Sequence, residues 1–494
     1  MEEMQKNDIA EITVQSLVLP NQICEEMELY VRYQGEISYA KNVLCLQKDS
    51  VISTNTYMNC FDVSTWNKYT GIDTFALKLL VSGKGHLRLL ALNKQKTVLE
   101  ECEIDAKTPK NYILTFKPQK AEEILYFEIE SKETICIESA SYIATNCLMN
   151  INDIHLDLII CTYKRNAAVL SLLKQLEQSL FFEKKSTYYG SLRIRIVDNA
   201  SELDRRNEDY VKIYHNPNNG GSGGFTRGIL ESRKEIKKYK TSHVILMDDD
   251  VQLLSETLYR VYALLSLCRD VYQNDVIAGR MFRMDTKYIQ YTSSEIWNGG
   301  ALIHVNENED MRREENLIDM NKATGEYTGW WFGCFPINFI QNELPLPFFL
   351  HCDDVEYGLR HGGYPLVLNG VQVWHETHEH RITPSILYYD IRNTMIVNTI
   401  HGQFQDEHVA WRWWKSRLKA SCSYVAIVAM KDYLKGCEHF VHNNTKKEIS
   451  TSTTKIYKLL IPIFFIILSV LYKKHGKKAF ESYKTKYALK EKGE

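Results

Sequence analysis

Val244-Ile245-Leu246-Met247-Asp248-Asp249-Asp250-Val251-Gln252-Leu253 sets the reading of the whole chain. An apolar run of this kind predicts a strand buried on both faces, and it ends in three adjacent carboxylates. Three like charges at a strand end are costly unless something positive neutralises them. Along an extended chain Asp248 and Asp250 face the same side, so the pair can grip one divalent cation. Ligands of open α/β sheets lie beyond the carboxyl ends of the strands, where this triplet stands. An exposed acidic turn that caps the next helix is the competing reading.

Working outward, residues 156–162, 193–197 and 211–214 read as further sheet strands, and 167–180 and about 226–238 carry a helical period. Strands alternating with helices predict a mostly parallel sheet covered on both faces. Thr162 and Arg165 follow the first of these strands, and an Arg there suits a pyrophosphate. Asp198 ends the second, where a carboxylate can hold a uracil or ribose group or simply brace a turn. The loop Gly220-Gly221-Ser222-Gly223-Gly224 lets backbone N–H groups approach a phosphate or sugar. It matches neither the dinucleotide-binding nor the P-loop pattern, and a plain flexible turn reads equally well.

A second acidic centre lies at Asp353-Asp354, with Glu356 following in the first turn of a helix. Such carboxylates favour a helix N-terminus as caps; beside a metal, one of them is also what a general base requires. Trp330-Trp331 is an extended pair whose indoles face opposite sides, one for the core and one able to stack on a sugar. Residues 371–375 form a strand ending in His375, an imidazole that can complete the coordination begun by Asp248 and Asp250. The tract from His375 to His380 lacks His-Glu-x-x-His spacing, which argues against a zinc protease, and His378 and His380 read as solvated loop residues.

The two ends of the chain differ in style. Up to about residue 144 the pattern is β. Residues 75–81 and 87–92, around Ser82-Gly83-Lys84-Gly85, read as a hairpin. Strand candidates at 111–116, 124–129 and 134–144 complete a β-sandwich or jelly roll, structural or glycan-docking. From Pro384 the chain is helical. Residues 459–472 are almost wholly apolar, yet only about two-thirds of the ~20 residues a spanning helix needs. Lysines 455, 458, 473, 474, 477 and 478 flank that run, which predicts a helix lying in an anionic interface, with a short span or a core helix as alternatives. The expected domains are 1–150, 151–383 and 384–494.

A formal net charge of −2 gives no attraction to nucleic acid, and no basic motif supports one. Twelve cysteines without Cys-x-x-Cys spacing predict reduced thiols, neither a disulfide frame nor a zinc ribbon. The first residues, Met-Glu-Glu-Met-Gln-Lys-Asn-Asp, have no basic head or apolar core, so secretion is not expected.

Taken in order, Cys161-Thr162-Tyr163-Lys164-Arg165, Val197-Asp198-Asn199, Asn219-Gly220-Gly221-Ser222-Gly223-Gly224-Phe225, Asp248-Asp249-Asp250, Trp330-Trp331, Asp353-Asp354-Val355-Glu356-Tyr357-Gly358 and Trp374-His375 are a specific set. They resemble the inverting family-two glycosyltransferases. More narrowly, the likeness is to galactofuranosyltransferases that use UDP-galactofuranose, and it spans nearly the whole chain.

The resemblance implies an α/β GT-A (Rossmann-like) catalytic domain, with the β-sandwich before it and helices after it. It implies that Asp248, Asp250 and His375 hold Mn2+ or Mg2+ and that Asp249 lies near the donor ribose or sugar. Thr162, Arg165, Asp198, Asn219 and Arg227 would line the UDP-sugar site. Asp354 would be the general base, and Trp330, Trp331, Asp353, Glu356 and Glu295 would orient the acceptor. Asp390 stands where relatives carry histidine, a departure that bears on acceptor linkage. The implied partners are a UDP-sugar, a glycan or lipid-linked glycan acceptor, and a membrane surface on its cytoplasmic face; a homo-oligomer is compatible with this. Another nucleotide sugar, such as a rhamnosyl donor, or a nucleotidyl transfer would use a similar sheet. A non-catalytic glycan-binding scaffold is the reading from another class, and Asp248, Asp250, Asp354 and His375 together argue against it, because unused buried charge costs stability.

Overall fold

The apolar run before the Asp triplet lies in the interior of a six-stranded sheet, the only place where both of its faces find cover. A computed structural model describes residues 11–40, 42–92, 95–117, 124–145, 151–205, 207–318, 320–377, 383–421, 423–443 and 446–487. From residue 156 onward the strands are β1 (Leu156–Thr162), β2 (Leu192–Asp198), β3 (Val211–His215), β4 (His243–Asp248), β5 (Ile277–Ala278) and β6 (Arg280–Arg283). There follow β7 (Ile289–Thr292), β8 (Glu295–Asn298), β9 (Ala301–His304), β10 (Gly333–Pro336) and β11 (Gln372–His375). The main sheet has the order β3-β2-β1-β4-β10-β5. Strands β1 to β4 are parallel and β10 runs against β4 and β5. A smaller sheet pairs β6 with β7 and with β11, and β8 and β9 form a separate hairpin.

Helices α1 (Asn166–Glu177), α2 (Gly220–Tyr239), α3 (Ser255–Leu267) and α4 (Asp353–His361) alternate with these strands. Residues 220–224 are not a loop, as the sequence pattern suggested, but the first turn of α2, which starts six residues earlier than the periodicity indicates. The reason is close packing. A Cβ on Gly224 would lie 2.1 Å from Cys161 Sγ, and one on Gly228 would lie 2.3 Å from Ile159 Cγ2. The glycines let the helix lie directly on β1.

The N-terminal region is an antiparallel nine-stranded sheet built on two long strands, Phe75–Leu92 and Lys96–Phe116. The expected hairpin at Ser82–Gly85 is absent: residues 75–92 are one continuous strand. Its first half pairs with Ile135–Ala144 and its second with Ile124–Ser131. Gly83, at φ +116°, forms a register shift where a Cβ would strike Thr134 O, so this glycine bends a strand instead of turning it back. Cys45 and Cys136, directly opposite each other on paired strands, are joined as a disulfide. That corrects the expectation of wholly reduced thiols at one pair; sequence spacing of 91 residues concealed a cross-strand contact.

This region is fastened to the α/β domain through buried polar contacts. Arg260 on α3, fully buried, donates to Met58 O at 2.7 Å and Asn369 O at 2.9 Å, and pairs with Glu256 at 3.1 Å. Glu256 in turn accepts from Ser16 N at 2.7 Å, and Tyr57 Oη donates to Gln372 Oε1.

The chain ends in a helical bundle: α5 (Pro384–Ile400), α6 (Glu407–Ser421), α7 (Tyr424–Tyr433), α8 (Gly436–His442), α9 (Thr451–Tyr457) and α10 (Ile461–Lys486). Thr383 caps α5 and Pro384 opens it, a favourable start for a helix. One face of α10 buries Leu468, Tyr472, Ala479, Phe480 and Tyr483 against the bundle, while Ile463, Ile466, Ile467 and Val470 are exposed on another. The helical stretch from Thr451 to Lys486 is longer than the apolar run alone suggested, and by length and composition it could cross a membrane.

Removing Arg260 would leave Glu256 buried without its cation, a change that typically costs about 3–5 kcal/mol. Arg260→Leu is therefore expected to lower the thermal midpoint by several degrees in a calorimetric scan; an unchanged midpoint would show that the junction contributes little.

Candidate active site

Two strands from different sheets bring the first cluster together. β4 ends at Asp248 and β11 ends at His375. Gln252 and Trp374 exchange backbone hydrogen bonds of 2.9 and 2.8 Å, which lock the end of the Asp loop to the end of β11. His375 Nε2 then lies 3.0 Å from Asp250 Oδ1 and 3.8 Å from Asp248 Oδ2. One ligand atom from each of the three residues falls within 4.8 Å of the others. Burial, then the neighbouring carboxylates against the pull of His375, pushes Asp248 up to about 7. Asp250 is held low despite burial, by His375 and Arg165. Two carboxylate oxygens and one imidazole nitrogen, crowded at the mouth of a cavity, are a donor set that fits a divalent ion such as Mn2+ or Mg2+.

Asp249, between Asp248 and Asp250, points the other way. Its carboxylate accepts from Thr162 Oγ1 at 2.5 Å and from Arg165 Nη1 at 3.1 Å, and Arg165 also pairs with Asp250. Thr162, Arg165, Asp249 and Asp250 therefore form one hydrogen-bonded unit across the ends of β1 and β4.

The second cluster lies at the N-terminus of α4. Phe349, His351 and Cys352 all adopt left-handed backbone angles, φ +75°, +61° and +64°. Non-glycine residues rarely do so, and such strain persists only where surrounding contacts hold it. Here Asn393 on α5 donates to Leu350 O and His351 O, and Arg392 donates to Phe348 O. The turn delivers Asp353 and Asp354 to a cavity of about 590 Å³, whose wall also contains Asp248, Glu295, Trp330 and Trp331. Burial raises both Asp353 and Asp354, and each is raised further by a carboxylate neighbour, Asp354 for the first and Glu295 for the second.

Both tryptophans reach this cavity, from two different packing clusters. Trp330 is buried edge-on against Phe225 and Tyr357, and its indole Nε1 has no hydrogen-bond partner among the described residues. Trp331 is half-buried and donates to Gly279 O.

Other candidates lie apart. Asp198 is fully buried, and its carboxylate accepts the backbone N–H groups of Ala200, Glu202 and Leu203, so it braces the turn after β2. Asn219 is exposed at the start of α2. Arg227, about two turns along, pairs with Glu231 at 2.9 Å. Glu356 does not reach the cavity. Two residues on from Asp354, it faces the opposite side of α4, where it is buried against Arg360 and, at 3.4 Å, His401. The expectation that it orients an acceptor is thus not met by its position. His378 and His380 lie outside the described residues.

Of the far wall, sequence reasoning names only Glu295 as a candidate. Glu295 holds His304 Nδ1 at 2.7 Å, and His304 Nε2 meets Tyr291 Oη at 3.1 Å, a polar row on the β8–β9 side. Across from it, His351 pairs with Asp390 at 2.8 Å, and Trp413 and Arg417 of α6 close the rim. The i, i+4 spacing of Trp413 and Arg417, with the guanidinium over the indole, was visible in the sequence; that α6 folds back over the cavity was not.

Residues 157–332 match the family described as glycosyl transferase family 2, and residues 16–145 match the galactofuranosyltransferase 2 N-terminal domain. The chain is 24% identical over 436 residues to galactofuranosyltransferase GlfT2 of Mycobacterium tuberculosis, covering 79% of this chain and 66% of that protein. It is 22% identical over 428 residues to GlfT2 of Mycolicibacterium smegmatis, covering 79% of this chain and 65% of that one. The match thus spans slightly less than two thirds of these relatives' length. Among solved structures, a mannosyltransferase of Pyrobaculum calidifontis, in complex with GDP-Man and Mn2+, overlaps 68% of this chain and 88% of its own at 10% identity. Its TM-score is 0.32, too low to argue from. With its GT-A-type sheet, its strand-rich N-terminal region and its helical C-terminal region, the chain carries a family 2 glycosyltransferase domain behind a galactofuranosyltransferase 2 N-terminal domain.

Proposed function

We propose that the protein transfers galactofuranose from UDP-galactofuranose, with inversion, to a hydroxyl of a lipid-linked glycan. The observation that carries this is the convergence of Asp248, beside Asp250 and His375, and of Asp354 on one cavity of about 590 Å³. A divalent ion bound by Asp248, Asp250 and His375 would neutralise charge developing on the departing diphosphate. Asp354 takes the proton of the acceptor hydroxyl, whose oxygen attacks the anomeric carbon as the bond to UDP breaks. Asp353, raised by burial and by Asp354, keeps the pair from ionising fully together. Trp330 offers an unpartnered indole N–H to a ligand oxygen, and Glu295 with His304 presents a polar edge to an acceptor sugar. Thr162 and Arg165 hold Asp249 at the end of β4, and Asn219 and Arg227, before and within α2, would complete the donor side.

The exposed face of α10 supports a membrane-surface location. Ile463, Ile466 and Val470 project from a helix whose later turns pack on the bundle through Tyr472, Ala479, Phe480 and Tyr483, which supports a helix lying in the interface.

UDP release from UDP-galactofuranose with Mn2+, compared with UDP-galactopyranose, tests the donor; turnover with neither, despite UDP binding, would point to another sugar. Asp354→Asn is expected to lower kcat by about 10²–10⁴-fold while UDP affinity stays within a factor of a few. Because Asp354 is raised and must be ionised to act, turnover should fall with decreasing pH along a limb above the ordinary carboxylate range. A limb near pH 4, or a fully active variant, would remove Asp354 from this role. Replacing Ile463, Ile466 and Val470 with Ser should weaken binding to anionic vesicles by more than about tenfold; unchanged sedimentation would contradict the interfacial assignment.

A further inference from the structure

On the opposite side of α5 from the active-site turn, the bundle encloses a second cavity of about 310 Å³. Arg392, Lys435, Lys447, His439 and His442 line it, and Asp432 is its only carboxylate among the lining residues. Lys435 reaches Asp432 at 2.7 Å and Lys447 at 3.2 Å, while Tyr388 Oη donates to the same carboxylate. An ammonium carries three N–H donors, and among the described residues each lysine gives one to Asp432. Three cationic side chains therefore face one anion. The local field is positive: beyond burial, Lys435 and Lys447 hold His439 below its ordinary value against the opposing effect of Asp432. His442 Nδ1 bonds the carbonyl of Glu438.

We propose that this cavity binds a phosphate-ester anion. Two lysine ammonium groups beside the buried charge of Arg392, in a pocket of this size, suit a phosphate, which offers several acceptor oxygens at once. Basic pockets between helices beside a membrane-facing surface are suited to lipid phosphates. The same helix, α10, carries Tyr483 into the cavity and the exposed apolar face nearer its start. The site also communicates with the chemistry. Arg392 lines the cavity and donates to Phe348 O, and its neighbour Asn393 holds the carbonyls of Leu350 and His351. The role of the site, placing a lipid phosphate where the acceptor glycan reaches Asp354, rests on the membrane-surface reading above; phosphate binding itself does not.

The test uses the full chain, treated with EDTA so that the active-site carboxylates cannot hold phosphate through a metal. Inorganic phosphate is titrated calorimetrically, and phosphatidylcholine vesicles with and without phosphatidic acid are tested by sedimentation. Lys435→Gln and Lys447→Gln are made separately, each leaving Asp432 the other lysine and Tyr388. The parent should bind phosphate saturably, each variant should weaken it at least about fivefold, and Lys447→Arg should restore most of the loss. UDP release from the donor in the presence of Mn2+ should be unchanged in the variants. Loss on phosphatidic acid vesicles as well as with free phosphate identifies a lipid headgroup as a source; loss with free phosphate alone identifies a soluble one. Absence of saturable phosphate binding, or equal affinity in parent and both Gln variants, overturns the proposal. Failure of the parent to release UDP would sink the transferase reading while leaving this result intact.

Discussion

Crowded negative charge at the ends of two strands is the constraint on which the rest of this structure depends. Asp248, Asp249, Asp250, Asp353 and Asp354 converge at one end of the sheet, Asp249 and Asp353 buried and the other three partly so. Arg165 and His375 supply some compensation, and it falls mostly on Asp249 and Asp250. Asp248 and the Asp353–Asp354 pair remain raised, which in the absence of a cation means a tendency to keep protons. Asp248, Asp250 and His375 would hold a divalent ion, whose charge would relieve that repulsion at its source. Asp354, on the wall of the same cavity, would keep a raised affinity for protons.

The scaffold is arranged to hold these charges where they are. The Gln252–Trp374 exchange ties two sheets at the cluster of Asp248, Asp250 and His375, and Arg392 with Asn393 ties the helical bundle to the strained turn before Asp353. Glycine at 224 and 228 brings α2 onto β1, so the start of that helix lies beside Asp353; a Cβ on Gly221 would be 3.6 Å from its Oδ2. The N-terminal sheet is not a loosely tethered appendage, because Arg260 and Tyr57 bury its junction with the α/β domain.

Much of this was legible in the sequence, for physical reasons. A strand buried on both faces must be apolar throughout, so the run ending at Asp248 announced both its place in the sheet and the exposed end where ligands gather. His375 stood out because it too ended an apolar strand. What was hidden depended on contacts between distant segments. Gly83 looks like a turn residue, and only pairing with two partners at once makes it a bend. Residues 220–224 look too flexible for a helix until the Cys161 side chain demands the small size of Gly224. Cys45 and Cys136 meet only once the sheet has formed. Glu356 resembles its acidic neighbours in sequence, but two residues along a helix turn it to the other face. Likewise His304, Tyr291, Trp413 and Arg417 carry no motif, and their place on the cavity wall follows from how the hairpin and bundle close over it.

The metal cluster is the centre of this account, and UDP binding tests it most directly. Calorimetric titration of UDP should give saturable binding with Mn2+ that is lost after EDTA and largely lost in His375→Ala. Equal affinity for UDP with and without the ion would contradict the assignment of Asp248, Asp250 and His375.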